Sequence, residues 1–166
     1  MKKILCLILS IIMFMISTIM CSADNGDTYI CEEYQGYVYE IAGMYNLCPE
    51  LIMAMIEAES SGRADVVSKA GCIGLMQIYP KYHRERMKKL GVTDLKDAYG
   101  NILVGCDYVA ELAEKYHDIN IVLVGYNAGE YSKSMKRAKE GKWSNYAKKV
   151  VQRSEELERI HESDEI

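Results

Sequence analysis

One carboxylate is singled out by its place in the chain. Residues 49–61, PELIMAMIEAESS, read as a helix that is apolar along most of its length. At about 100° per residue, with Leu51 set at zero, Ile52, Met55 and Ile56 fall at about 100°, 40° and 140° and form one stripe. Glu59 falls at about 80°, in the middle of that stripe, whereas Glu57 falls at about 240°, in a more solvent-like direction. A carboxyl held among apolar groups is disfavoured as an anion, so its pKa rises. A carboxyl that keeps its proton near neutral pH can act as a general acid. The same placement also suits the buried half of an ion pair with a distant Lys or Arg. The helical wheel leaves both open.

What surrounds Glu59 carries further chemistry. Glu59-Ser60 is followed by Ser68, Gly71 and then Gly74-Leu75-Met76-Gln77, a spacing of S-x-x-G-x-x-G-L-M-Q. Further on come Gly125-Tyr126-Asn127-Ala128-Gly129 and an isolated Tyr146. An asparagine amide both donates and accepts hydrogen bonds. In these four blocks, taken in order over residues 33–150, the chain resembles the lytic transglycosylases of the soluble-enzyme (SLT) type, whose catalytic domain is lysozyme-like.

The resemblance implies an all-α, lysozyme-like domain that cleaves the MurNAc–GlcNAc bond of peptidoglycan without water and leaves 1,6-anhydroMurNAc ends. It makes Glu59 the single catalytic acid and base. It places Ser68, Met76, Gln77, Asn127 and Tyr146 against the substrate, with the loop 62–73 and the GLMQ segment, read as a short turn of helix, as one wall of the cleft. Most glycosidases need two carboxylates. No second acid is placed by motif here, and Asp65, the nearest in the loop, matches no catalytic position, which fits a lyase better than a hydrolase. Neither a metal nor an organic cofactor is implied. Ser60 reads as local hydrogen bonding at the helix end, and Trp143 as core or a sugar-stacking ring. Ala64, Val66 and Cys72 depart from the residues common in the family, without removing a reactive group. Two other functions fit the same residues: a goose-type-lysozyme-like hydrolase of the same bond, and a non-catalytic peptidoglycan-binding scaffold. By analogy alone, a small monomeric domain of this kind would serve a secretion, conjugation or phage apparatus that opens the cell wall locally.

The elements that must position these residues follow from spacing. Tyr34, Tyr37, Val38, Ile41 and Met44 predict a helix over 32–45. Pro49 and Pro80 both suit a first helical turn, where the missing N–H has no partner in any case. The segment 80–90 is strongly basic, through Lys81, His83, Arg84, Arg86, Lys88 and Lys89, and reads as a solvated face ended by Gly91. Residues 97–101 lead into a helix through Tyr116. Ile121-Val122-Leu123-Val124 has strand propensity but no partner strand, and reads as a short buried helix. Helices over 130–139 and from 145 to about 160 complete the set, with 161–166 frayed.

The 166 residues suffice for one domain. Met1-Lys2-Lys3, the apolar run from Ile4 to Met20 and the small residues of Cys21-Ser22-Ala23 predict a secretory signal peptide, residues 1–23, cleaved after Ala23. The mature domain is then 24–166, exported to the envelope or the cell-wall space. An uncleaved segment would anchor it in the membrane. Met20 before Cys21 is too large for a lipidation signal. Cleavage removes two lysines and no acid, taking the formal charge from −4 to −6. An acidic domain is a poor nucleic-acid ligand. Cys31, Cys48, Cys72 and Cys106 remain, with no C-x-x-C and no nearby His pair, so a zinc site is unsupported. They allow two disulfides in any of three pairings, or buried free thiols.

Overall fold

The computed structural model describes residues 28–164. The signal segment, 1–23, lies outside the described residues. Seven α-helices form from them: α1 (Glu32–Met44), α2 (Pro49–Ser60), α3 (Pro80–Leu90), α4 (Ala98–Tyr116), α5 (Ile119–Ala128), α6 (Lys133–Ala138) and α7 (Asn145–Asp164). No helix among them is long and apolar enough to cross a membrane. The all-α architecture expected from the sequence holds for this region, with isolated β-bridges in place of strands.

Helix α2 is the centre. Leu51, Ile52, Met53, Ala54, Met55 and Ile56 are all buried, so its middle turns have no solvent face. A helix apolar all round is stable only when covered all round. Helix α7 covers it most extensively, and α1 packs on another side. Helices α4 and α5 pack together, α5 touches α7, and α1 joins α4. The apolar run 121–124 is indeed helical, with Val122, Leu123 and Val124 buried in α5.

Capping explains several helix starts. Asp97 accepts from the Gly100 N–H at 2.7 Å, Asp118 from Asn120 and Ile121 at 2.9 and 3.2 Å, and Ser132 from Met135 at 3.0 Å. Pro49 and Pro80 occupy first turns, as their chemistry predicts.

Several readings change in the folded chain. Glu57 is not solvated. Its side chain is 8% exposed and lies under α7, where Arg153 donates to both its oxygens at 2.7 and 3.2 Å. Thr28 donates to it at 2.6 Å and the Tyr29 N–H at 3.3 Å. The wheel had located the apolar stripe but not the helix that covers the opposite side. Second, α3 is not a uniformly solvated face. Arg86 pairs with the buried Asp107 and with Glu111, and its guanidinium lies 5.1 Å from the Tyr108 ring centre. Burial, and then the neighbouring Arg86 charge, push the His83 imidazole down to about 4. Third, residues 161–164 are helical rather than frayed, and His161 Nδ1 lies 2.9 Å from a Glu50 oxygen. Fourth, Trp143 is 43% exposed and is not part of the core. Cys48, Cys72 and Cys106 are free thiols. The Cys48 thiol, pushed up to about 11 by burial and its acidic neighbours, lies between Glu50 and Glu158 at 3.2 and 3.3 Å.

The GLMQ segment is a turn, not helix. Ile73 and Ile78 exchange both backbone hydrogen bonds at 2.9 Å and close residues 74–77 between them. The turn hangs on one side chain. Asn101 of α4 is fully buried, and its amide donates to Ile73 O at 2.9 Å and Leu95 O at 2.8 Å while accepting from Met76 N at 2.8 Å. Gly74 passes directly beneath that amide at φ +79°, where an added Cβ would stand 2.5 Å from Leu95 O and collide with the amide itself. A side chain there is excluded by both space and backbone conformation.

Replacing Asn101 by the isosteric Leu leaves the Met76 N–H and Leu95 O without partners, while Ile73 O keeps its bond from the Ile78 N–H. At roughly 1–3 kcal/mol for each buried unsatisfied group, the Asn101→Leu variant should lose at least about 2 kcal/mol. Urea unfolding of the two proteins, with an unchanged m value, would measure it.

Candidate active site

Glu59 lies in the last turn of α2. The helix stops immediately after it because Ser61 and Gly62 turn left-handed, at φ 54° and 74°. Gly62 has no choice, since a Cβ would stand 2.5 Å from the carbonyl oxygen of Tyr29. Ser60 is buried, and its hydroxyl donates back to Ile56 O at 3.2 Å, the local role expected of it. Its carbonyl accepts from Arg63 Nε at 3.1 Å. Glu59 thus stands at a fixed place where the chain leaves the core.

Its surroundings favour the protonated acid. Burial pushes the Glu59 carboxyl above its ordinary range; the Tyr146 hydroxyl and then the Asn127 amide oppose that rise. The carboxyl also sits at the carbonyl end of α2, where the helix dipole disfavours a negative charge. Among the described residues no cation and no second carboxylate contributes to its shift. Glu57, two residues earlier on the same helix, holds Arg153, whereas the partners of Glu59 among the described residues are neutral.

Tyr146 enters from α7, near its first residue. Its hydroxyl is sealed from solvent and makes no hydrogen bond of ordinary geometry among the described residues, so its contact with Glu59 is a loose one. Burial, and next the Glu59 charge, push its phenol far up. Asn127 enters from the last turn of α5, exposed to solvent, where Gly129 at φ +82° turns the chain away. Three elements distant in sequence therefore converge: the ends of α2 and α5 and the start of α7.

The loop residues play different parts. Ser68 is half-buried; its hydroxyl accepts from the Cys72 N–H at 3.0 Å and closes the loop tip. Its own proton remains free to donate outward. Gln77 has φ +49°, an uncommon conformation for a non-glycine residue. Its Nε2 donates inward to Gly74 O at 3.0 Å and Val66 O at 3.3 Å. That leaves its amide oxygen as the group it can offer. Met76 does not line the cleft surface. It is fully buried, packed against Gly105, with its carbonyl accepting from the Tyr126 hydroxyl at 2.7 Å. It supports the wall from behind. Tyr126 packs against the core, its ring tilted against Tyr108 at 5.4 Å between centres. Asp65 is exposed in the loop.

One residue that the motif reading passed over is Asn101, which holds the whole GLMQ turn. The signal available was an asparagine three residues into a helix otherwise apolar on that face. A buried amide in such a place needs partners.

The raised pKa of Glu59 makes a stability prediction. A carboxyl whose folded pKa exceeds its unfolded value binds its proton more tightly when folded, so stability is lost as pH rises through the two values. Glu59→Gln removes that penalty. The variant should melt above the parent protein at pH 7, and the difference should vanish below about pH 4, where the carboxyl is protonated in both states. Thermal unfolding across pH 3–8 would check this.

Comparison with known proteins gives the family. Residues 36–149 match the family model for the transglycosylase SLT domain. A transglycosylase of Enterobacteria phage PRD1 is 36% identical over 88 residues, 53% of this chain and 32% of that protein. An endo-type membrane-bound lytic murein transglycosylase A of Klebsiella pneumoniae is 39% identical over 71 residues, 39% of this chain and 35% of that protein. The matched segments thus span about a third of these relatives' length. Among solved structures, the 70 kDa soluble lytic transglycosylase Slt70 of Escherichia coli superposes with a TM-score of 0.64 at 20% identity, over 77% of this chain and 24% of that one. Lytic transglycosylase Slt of Pseudomonas aeruginosa gives 0.62 at 19%, over 76% and 24%. At those identities the likeness shows the fold. With a match over residues 36–149 that takes in Glu59, Gln77, Asn127 and Tyr146, this chain belongs to the transglycosylase SLT domain family.

Proposed function

We propose that the chain is an exported lytic transglycosylase of peptidoglycan with Glu59 as its only catalytic carboxyl. The observation that carries this reading is the environment of Glu59: a raised pKa, two neutral partners and no second carboxylate acting on it. A retaining hydrolase would set a second carboxyl about 5–5.5 Å away as nucleophile. Murein is the substrate named for the Klebsiella relative, and the phage relative supports local wall opening as the setting.

The steps balance without water. Protonated Glu59 gives its proton to the glycosidic oxygen as the bond to the MurNAc anomeric carbon breaks. The acetamido oxygen of the same sugar stabilises the positive charge at that carbon, and Asn127 orients this group. Glu59, now a carboxylate, takes the proton from the MurNAc 6-hydroxyl. That oxygen closes on the anomeric carbon to form the 1,6-anhydro ring. Tyr146 donates toward the carboxylate in the intermediate, when its charge most needs a partner. Ser68 and the Gln77 oxygen contact the sugar from the loop wall.

Digestion of purified peptidoglycan, with mass spectrometry of the products, tests the chemistry. Fragments with 1,6-anhydroMurNAc ends are expected, and Glu59→Gln should lower their rate by roughly 10²–10⁴-fold. Products heavier by one water would mean hydrolysis instead; binding without products would mean a scaffold. Tyr146→Phe removes a partner that holds the Glu59 pKa down. Its activity should fall while the alkaline limb of its pH–rate profile moves up, which a purely structural role for Tyr146 would not do.

A further inference from the structure

The acidic balance of the chain hides a local reversal on α3. The cations on one side of this helix are neutralised by α4: Arg86 by Asp107 and Glu111, and Lys89 by Asp107 at 3.6 Å. Lys81, Arg84 and Lys88 make no ion pair among the described residues. Their spacing of three and then four residues puts them on one face, over a rise of roughly 10 Å. They border a groove of about 570 Å³ floored by Tyr79, Pro80, Met87 and Val92. No acidic side chain lines it; Glu85, the acid of α3, is not among its walls. The groove is distinct from the site at Glu59 but adjoins its loop. Gly71, in the turn that Ser68 closes, lines it, against the Tyr79 ring.

Three unpaired cations around a small apolar floor fit an extended peptide that carries carboxylates and short apolar side chains. Successive residues of such a peptide rise about 3.3 Å, so carboxylates a few residues apart match the cation spacing. Peptidoglycan bears such a peptide on the lactyl group of its MurNAc units. We propose that this groove takes the carboxylate-bearing stem peptide of the glycan strand held in the neighbouring cleft. The proposal rests on peptidoglycan being the substrate. It makes Lys81, Arg84 and Lys88 determinants of stem recognition, in a protein whose net charge offers no general attraction for an anionic polymer.

Two measurements on the full chain test it. The first compares kcat/KM on stem-bearing peptidoglycan and on glycan stripped of stems by an amidase. Exposed charge contacts are individually weak, and three together should favour the stem-bearing substrate by roughly tenfold. That preference should weaken with added salt and disappear in Lys81→Ala/Arg84→Ala/Lys88→Ala, a change to strong helix formers that circular dichroism can check. Equal cleavage of both substrates by the parent protein, or a preference retained in the triple variant, would overturn the assignment. The second titrates the parent protein with the free stem peptide released by the amidase and follows backbone amide shifts. Shifts confined to α3, Val92 and Thr93 are expected, and their absence would overturn it. If neither glycan is cleaved, the proposed reaction has failed, and the peptide titration alone decides the groove.

Discussion

The amide of Asn101 has no water to bond to, and it spends its three hydrogen bonds on backbone. Two go to the turn at 73–76 and one to Leu95, so a single side chain of α4 holds a wall of the site that has no regular secondary structure of its own. A loop of this kind cannot be held by apolar packing alone, because each turn residue brings a donor and an acceptor into a buried place. Gly74 completes the fit by having no side chain to keep the amide away. The Tyr126 hydroxyl on Met76 O and the Gln77 amide on Gly74 O and Val66 O secure three further carbonyls. These polar groups of the wall are satisfied from within the protein.

Helix α2 shows how the same fold treats two carboxyls in opposite ways. Glu57 and Glu59 are both largely covered. Glu57 is covered by α7 at a point where Arg153 meets it, with a hydroxyl and a backbone N–H filling its other lone pairs. A buried charge so paired is a structural clasp. Glu59 is covered at the end of the helix by a tyrosine and an asparagine, neither of which can neutralise it. The first arrangement answers the carboxylate with a cation; the second disfavours the anion without one. Burying a carboxyl with no cation beside it costs stability, and the extensive packing of α2 against its neighbours offsets it.

The charge on α3 is divided by the same logic of neighbours. Asp107 and Glu111 lie on α4 and reach only the side of α3 that faces them. The far side keeps its positive field beside the loop 62–73, in a protein that is acidic as a whole.

Much of this was legible from sequence. The apolar stripe that includes Glu59, the prolines that open α2 and α3, and the motif blocks around Gln77, Asn127 and Tyr146 follow from residue type and spacing, because periodicity and turn chemistry are local properties. The all-α fold follows from them too. What covers a side chain is not local. The wheel put Glu57 toward solvent, but α7 arrives from about a hundred residues later and buries it. Met76 sits in a cleft motif, yet the close approach of Gly105 takes its side chain into the core. The six basic residues between 81 and 89 look alike in the sequence. Only the packing of α4 separates those that are paired from those left free. The sequence by itself determined which groups could do chemistry and on which elements they ride. Tertiary structure decided which carboxyl meets a cation and which does not, because burial and charge pairing depend on neighbours that the chain brings together only when it folds.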